Sequence, residues 1–165
     1  MSNKQPASSE VVLREVLDVD IPVFFEHQLD AEASAMALFP SRDRETHLAH
    51  WLKILTDDTV ITKTIVAGEQ VAGNIVSWEH EDKRLVGYWI DKPQWGKGIA
   101  TLALAEFVRQ VNQRPLYAYV AKQNVGSIRV LQKCGFQVCE EESRPQPRDR
   151  DVDELLMKLD VPIRR

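Results

Sequence analysis

Cysteine is nearly absent from this chain. Only Cys134 and Cys139 occur among 165 residues, too few for a disulfide framework and wrongly spaced for a CxxC redox or zinc motif. Both read as small apolar core residues in a reducing compartment. Long apolar runs are missing as well. A spanning helix needs about 20 consecutive apolar residues, and no stretch comes near that, so no membrane partner is expected. The first ten residues, MSNKQPASSE, lack the apolar segment of an export signal and read as a frayed tail, residues 1–10. The expected address is cytoplasmic. Nor is there an excess of basic charge. Lys and Arg number 21 against 25 Asp and Glu, a formal charge of −4, which argues against nucleic acid held by phosphate neutralisation.

What is present suits one domain over residues 11–165. Apolar residues make up 44 % and charged residues 28 %, enough for a core, and no repeat or long linker divides the chain. Residues 11–17 (VVLREVL) predict a strand, after which Asp18 or Asp20 is positioned to cap a helix with Pro22 in its first turn. Residues 30–39 read as a helix stopped by Pro40, and residues 42–55 as a third with Leu48, Trp51, Leu52 and Leu55 at helical spacing. Residues 59–66, 71–79 and 85–90 are strand-like and joined by short turns, which predicts antiparallel pairing. A helix over 98–112, a strand over 116–121 and a helix over 124–134 follow, with Gly135 beyond the last turn. Strands at 136–139 and 155–159 flank residues 140–154, of which ten of fifteen are charged. The order predicts an α/β fold with a mixed, mostly antiparallel sheet flanked by helices.

The most informative stretch is residues 88–100, YWIDKPQWGKGIA. A strand ends at Pro93, a short loop holds Gly96 and Gly98, and a helix begins at once. Such a helix start offers unpaired amides and the positive end of the macrodipole, and Lys97 adds a point charge. The combination is a diphosphate cradle. It is not a P-loop, since Gly98 follows Lys97, and it is not the dinucleotide fingerprint GxGxxG, since Thr101 stands where the third glycine belongs.

Residues 95–100, Trp-Gly-Lys-Gly-Ile-Ala, resemble the acyl-CoA pyrophosphate loop of the GCN5-related N-acetyltransferase (GNAT) superfamily, [Q/R]-x-x-G-x-[G/A], with Trp95 at the first position. Residues 124–136, from Asn124 and Ser127 to Gly135-Phe136, resemble that family's N-x-x-[A/S] helix. The form Trp-Gly-Lys-Gly-x-Ala-Thr is similar to the branch containing ribosomal-protein N-terminal acetyltransferases. The resemblance implies a single-domain fold whose sheet splays in the middle, with acetyl-CoA entering between the strands at 85–90 and 116–121. It implies pantetheine along the backbone of Trp89, Ile90 and Asp91, and pyrophosphate in a cradle of Trp95, Gly96, Lys97, Gly98, Ile99, Ala100 and Thr101. Asn124 and Ser127 would meet the pantetheine arm, and Lys133 the adenosine phosphates. The partners implied are acetyl-CoA and an amine acceptor, a small molecule or a peptide N-terminus, and the resemblance admits a homodimer.

Acetyl transfer requires an ammonium of pKa ~10 to lose a proton and a thiolate of pKa ~8.5 to gain one. Many relatives supply the acid from a Tyr at the position of Leu131 and carry a Glu at the position of Leu85. Ser127 is then the candidate acid, or else a small residue that lets its helix approach the cofactor. Glu79, His80 and Asp91 are the candidate bases, and Tyr88 either serves the acceptor site or packs. The candidate catalytic set is Ser127, Glu79 and Tyr88. Cys134 at a helix end is not expected to act as a nucleophile. His47-x-x-His50, with Asp43 one turn before, lacks a third strong ligand, so no metal is expected and acceptor contact or exposure is favoured. By the same resemblance Phe24, Phe25, Glu26 and Glu32, with Arg144, Arg148 and Arg150, lie where acceptor choice is made. A non-catalytic acyl-CoA sensor is the alternative that Leu131 and Leu85 favour, and a regulatory protein–protein module is a third.

Overall fold

The computed structural model describes residues 10–37, 42–139 and 154–160. Strand β1 (Val11–Arg14) leads to helices α1 (Asp20–Gln28), α2 (Ala31–Ala37) and α3 (Arg44–Leu55). Strands β2 (Ile61–Ala67), β3 (Gln70–His80) and β4 (Lys83–Ile90) follow, then a 3-10 turn at Lys92–Gln94 and helix α4 (Ile99–Gln110). Strand β5 (Leu116–Ala121), helix α5 (Val125–Lys133) and strands β6 (Gln137–Val138) and β7 (Glu154–Leu159) complete the chain. They form one seven-stranded sheet in the order β1-β2-β3-β4-β5-β7-β6. Among the described residues only β4 and β5 run parallel; the other neighbours are antiparallel.

The alternation of side chains along β3 and β4 sends two sets of residues to opposite faces. Ile75, Val86 and Ile90 pack with Leu104, Phe107 and Val108 of α4 and Leu131 of α5 in the main core. On the other face Val76 and Val71 pack with Ile21, Phe24 and Trp51 of α1 and α3. Gly73 is required between the strands by contact, since a Cβ there would lie 1.9 Å from the Trp89 carbonyl oxygen.

Several boundaries differ from the sequence reading for identifiable reasons. The first strand stops at Arg14, and neither Asp18 nor Asp20 caps α1, whose N-cap is Val19 without a side-chain bond. The Asp20 carboxylate is instead 1 % exposed and accepts from the Leu17 amide at 2.8 Å, the Thr64 hydroxyl at 2.8 Å and the Arg14 guanidinium at 2.7 and 3.0 Å. It thereby ties β1, α1 and β2 together. Strand β4 starts earlier than expected because Glu81 and Asp82, with φ of 52° and 67°, make a tight turn. Asp43 does cap α3, accepting from the Thr46 amide at 2.7 Å. The expected tail, the stop at Pro40 and the charged excursion with Arg144, Arg148 and Arg150 lie outside the described residues. Among the described residues no helix is long and apolar enough to cross a membrane.

Burial raises the Asp20 pKa, but the Arg14 guanidinium, the Leu17 amide and the Thr64 hydroxyl outweigh it and hold the carboxyl below its ordinary value. Its contribution is therefore fully present above the unfolded value of about 4 and lost as pH falls through the lower folded value. Asp20→Asn is expected to cost about 2–3 kcal/mol in urea denaturation at neutral pH, with the deficit shrinking in acid below pH ~4.

Candidate active site

The geometry of the site starts from a break in sheet pairing. Strands β4 and β5 pair only at Arg84 with Leu116 and at Leu85 with Tyr117. Beyond Leu85 they part, while β4 stays paired to β3 as far as Ile90 and β5 stays paired to β7 as far as Ala121. Residues 86–90 therefore face a gap on the side away from β3, where no strand pairs with them. The Ile90 carbonyl accepts from the Trp95 indole N–H at 2.9 Å. That bond ties the loop after Pro93 to the open edge.

On the α4–α5 face the gap opens into a groove of about 620 Å³. Helix α4 begins at its mouth. Its N-cap, Gly98, has φ 80° and Gly96 has φ 79°, a region that disfavours any residue with a Cβ. A Cβ at either glycine would meet no protein atom within 4 Å, so the backbone conformation alone is what the fold demands there. The first intrahelical bond runs from the Leu102 amide to the Gly98 carbonyl, which leaves the amides of Ile99, Ala100 and Thr101 without intrahelical acceptors. The N-cap residue, a glycine, has no side chain to cap them. Across the groove α5 starts at Asn124, whose side-chain oxygen accepts from the Ser127 amide at 3.2 Å.

A second groove, of about 690 Å³, lies on the α1–α3 face, between those helices, β3 and the strand gap. Tyr88, Trp89, Asn124 and Ser127 line both grooves. The two cavities thus meet through the parted strands. At the meeting point the Tyr88 and Ser127 hydroxyls share a hydrogen bond of 2.6 Å. Burial pushes the Tyr88 hydroxyl up to about 12, against the opposing pull of Ser127.

Most of the residues named from the sequence come together here. Trp89, Ile90, Trp95, Gly96, Gly98, Ile99, Ala100, Thr101, Asn124, Ser127 and Lys133 all border the first groove. Lys97 and Asp91 do not. The Lys97 ammonium is exposed and reaches the Gln94 side chain at 3.5 Å, and Asp91 turns toward the buried imidazole of His27 at 3.8 Å. Glu79 borders the second groove, exposed, 3.8 Å from Arg84. It lies four positions along β3 from Ile75, the register partner of Tyr88, a spacing of about 13 Å along a strand. His80 pairs with Glu81 at 3.6 Å and lies outside both grooves. Leu131 is buried and borders the second groove. Cys134 is buried, its thiol pushed up by burial, and borders neither.

Sequence reading missed Arg129, which lines the first groove one turn from Lys133. The spacing of four on a helix starting at Asn124 was the signal that pairs them. Of the residues proposed to shape acceptor choice, Phe24 lines the second groove, but Phe25 packs on His47, Glu26 pairs with Arg44 and Glu32 with Lys92. His47 and His50 both face the second groove. Among the described residues no group of three or more His, Cys, Asp or Glu side chains is arranged to hold a metal ion.

A sheet parted between two parallel strands, with a bare helix N-terminus at the opening, defines the fold class of the acyl-CoA N-acyltransferases. The chain belongs to the acetyltransferase (GNAT) domain family, whose sequence profile matches residues 10–137. The fold is also that of a spermidine N-acetyltransferase from Vibrio cholerae solved with CoA and spermine, at a TM-score of 0.77 and 15 % identity over 92 % of this chain and 95 % of that one. Aminoglycoside acetyltransferase AAC(6')-Ib solved with coenzyme A superposes at 0.76, with 16 % identity over 92 % and 95 %. RimL, a ribosomal L7/L12 alpha-N-protein acetyltransferase solved with coenzyme A, superposes at 0.73, with 18 % identity over 93 % and 94 %. No curated protein sequence matches the chain significantly. Family membership implies acetyl-CoA-dependent acyl transfer.

Burial first, then Arg42 and His50, push the His47 imidazole down to about 4. An NMR titration is expected to find it neutral at pH 7 with a midpoint near 4. Arg42→Gln is expected to move that midpoint upward.

Proposed function

We propose that this chain transfers an acetyl group from acetyl-CoA to a primary amine by direct attack in a ternary complex, in the cytoplasm. The observation that carries the reading is the Tyr88–Ser127 hydrogen bond of 2.6 Å at the junction of two grooves on opposite sheet faces. Cosubstrate and acceptor would enter from opposite sides and meet there.

The first groove fits a thioester that carries a diphosphate. The amides of Ile99, Ala100 and Thr101, at the positive end of α4, suit the diphosphate oxygens. Lys133 and Arg129 suit the adenosine phosphates, and the edge of β4 that no strand covers suits the amide groups of a pantetheine arm. Trp95, in the position where relatives carry Gln or Arg, holds the cradle to the strand edge through the Ile90 carbonyl. Lys97 contributes general positive potential rather than a contact.

In the reaction the amine nitrogen forms a bond to the thioester carbonyl carbon and the carbon–sulfur bond breaks, leaving a thiolate that needs a proton. Tyr88, protonated up to about pH 12, donates it directly or through the Ser127 hydroxyl, and Ser127 recovers it from Tyr88. This pair would supply the acid that Leu131 lacks, which speaks for the enzyme over the non-catalytic sensor that Leu131 and Leu85 favour. The ammonium's proton leaves toward the acceptor groove, where Glu79 takes it through water, since Glu79 stands too far along β3 for direct contact. The acceptor is a small-molecule amine or a peptide N-terminus; the Trp-Gly-Lys-Gly-x-Ala-Thr form and the likeness to RimL support the N-terminal acetyltransferase branch.

Tyr88→Phe is expected to lower kcat about 100-fold in a thioester-cleavage assay against an amine panel, with the KM for acetyl-CoA nearly unchanged. The wild-type rate is expected to show no descending alkaline limb below pH ~10, because the acid stays protonated. CoA binding without turnover of any amine would favour the sensor instead.

A further inference from the structure

The second groove carries a charge pattern that acyl transfer by itself does not require. Its long wall is α3, twelve residues, hence about 18 Å from end to end. Arg42, just before the helix, and His47 and His50 in its first turns line one end, while Asp57, just beyond the helix, lines the other with Glu79. Glu154 borders the groove where β7 meets Ala121.

The basic end is built rather than incidental. Gln28, 3 % exposed, clamps the Arg42 backbone from both sides: its amide nitrogen donates to the Arg42 carbonyl at 2.7 Å, and its oxygen accepts from the Arg42 amide at 3.4 Å. His47 is fixed edge-on against Phe25 at 5.4 Å between ring centres and is 4 % exposed. His50 stands edge-on to Trp51. After burial, Arg42 is the largest influence on both imidazoles, and it pushes each toward the neutral form. Arg42 brings a positive charge to this end of the groove. A carboxylate arriving there would meet a guanidinium and a neutral imidazole N–H, the donors that carboxylates accept best.

We propose that the acceptor is an amine that also carries a carboxylate, received by Arg42 and His50 while its amino group reaches the Tyr88–Ser127 junction. This rests on the N-acetyltransferase reading above and names the substrate class of that site. The carboxylates at the far end, Asp57 and Glu79, favour the ammonium form during approach. The positive end then orients the molecule with its amino group away from Arg42.

The test is equilibrium binding to the full chain saturated with CoA, which cannot react. The probes are β-alanine, γ-aminobutyrate and ε-aminocaproate, each against its primary amide, with spermidine as the polycation. At the best chain length the acid is expected to bind about tenfold more tightly than its amide. Arg42→Gln is expected to erase that preference, and His50→Gln to reduce it. CoA affinity in the same titrations reports that each variant is folded. A short peptide with Glu or Gln as its second residue distinguishes a peptide carboxylate from that of a free amino acid. Acid and amide binding alike at every length, spermidine binding most tightly, or a preference that survives Arg42→Gln would overturn the proposal. Failure of the wild-type chain to bind CoA is a separate result and would sink the acetyltransferase reading itself.

Discussion

Everything at the site depends on two parallel strands that stop pairing after Leu85. A strand interior leaves its backbone polar groups unpaired only at a cost, because buried amides and carbonyls must find partners. Here β4 keeps one side paired to β3 through Ile90 and leaves the other open. Neighbouring features compensate in part. Trp95 takes the Ile90 carbonyl, and the Tyr88–Ser127 bond crosses from β4 to α5. The remaining edge suits an extended amide-bearing ligand, which would complete the sheet in place of a strand.

The opening also explains why the two kinds of chemistry sit on different faces. Side-chain alternation sends Tyr88 toward α4 and α5 and Trp89 toward α1 and α3. One strand thus brings a hydroxyl and an indole to the place where the two grooves meet. The helix start at Gly98 adds dipole and bare amides on the first face, while the lining of the second runs from Arg42, just before α3, to Asp57, just beyond it. The anchoring carboxylate of Asp20 lies outside both grooves, and it holds β1, α1 and β2 in the arrangement that keeps α1 over the sheet.

The sequence made the order of elements legible because its apolar periods were clean, and residues 116–121 were read with the observed bounds. The phosphate-type cradle was legible because Gly96, Gly98 and Pro93 punctuate a strand-to-helix turn. Other features depend on contacts between distant parts of the chain. No local pattern tells that Asp20 turns back to Arg14 and Thr64 instead of capping its own helix, or that Asp91 faces His27. The Tyr88–Ser127 partnership spans 39 residues, so each was visible as a candidate but not their union. Lys97 illustrates the converse case, a charge correctly seen beside the cradle whose side chain points along the loop toward Gln94.

The most direct measurement is a crystal structure of the complex with CoA. The account predicts the pantetheine arm lying against residues 86–90, diphosphate oxygens within about 3 Å of the amides that open α4, and the sulfur beside the Tyr88 and Ser127 hydroxyls. CoA bound elsewhere, or strands β4 and β5 closed together with that edge paired, would contradict it.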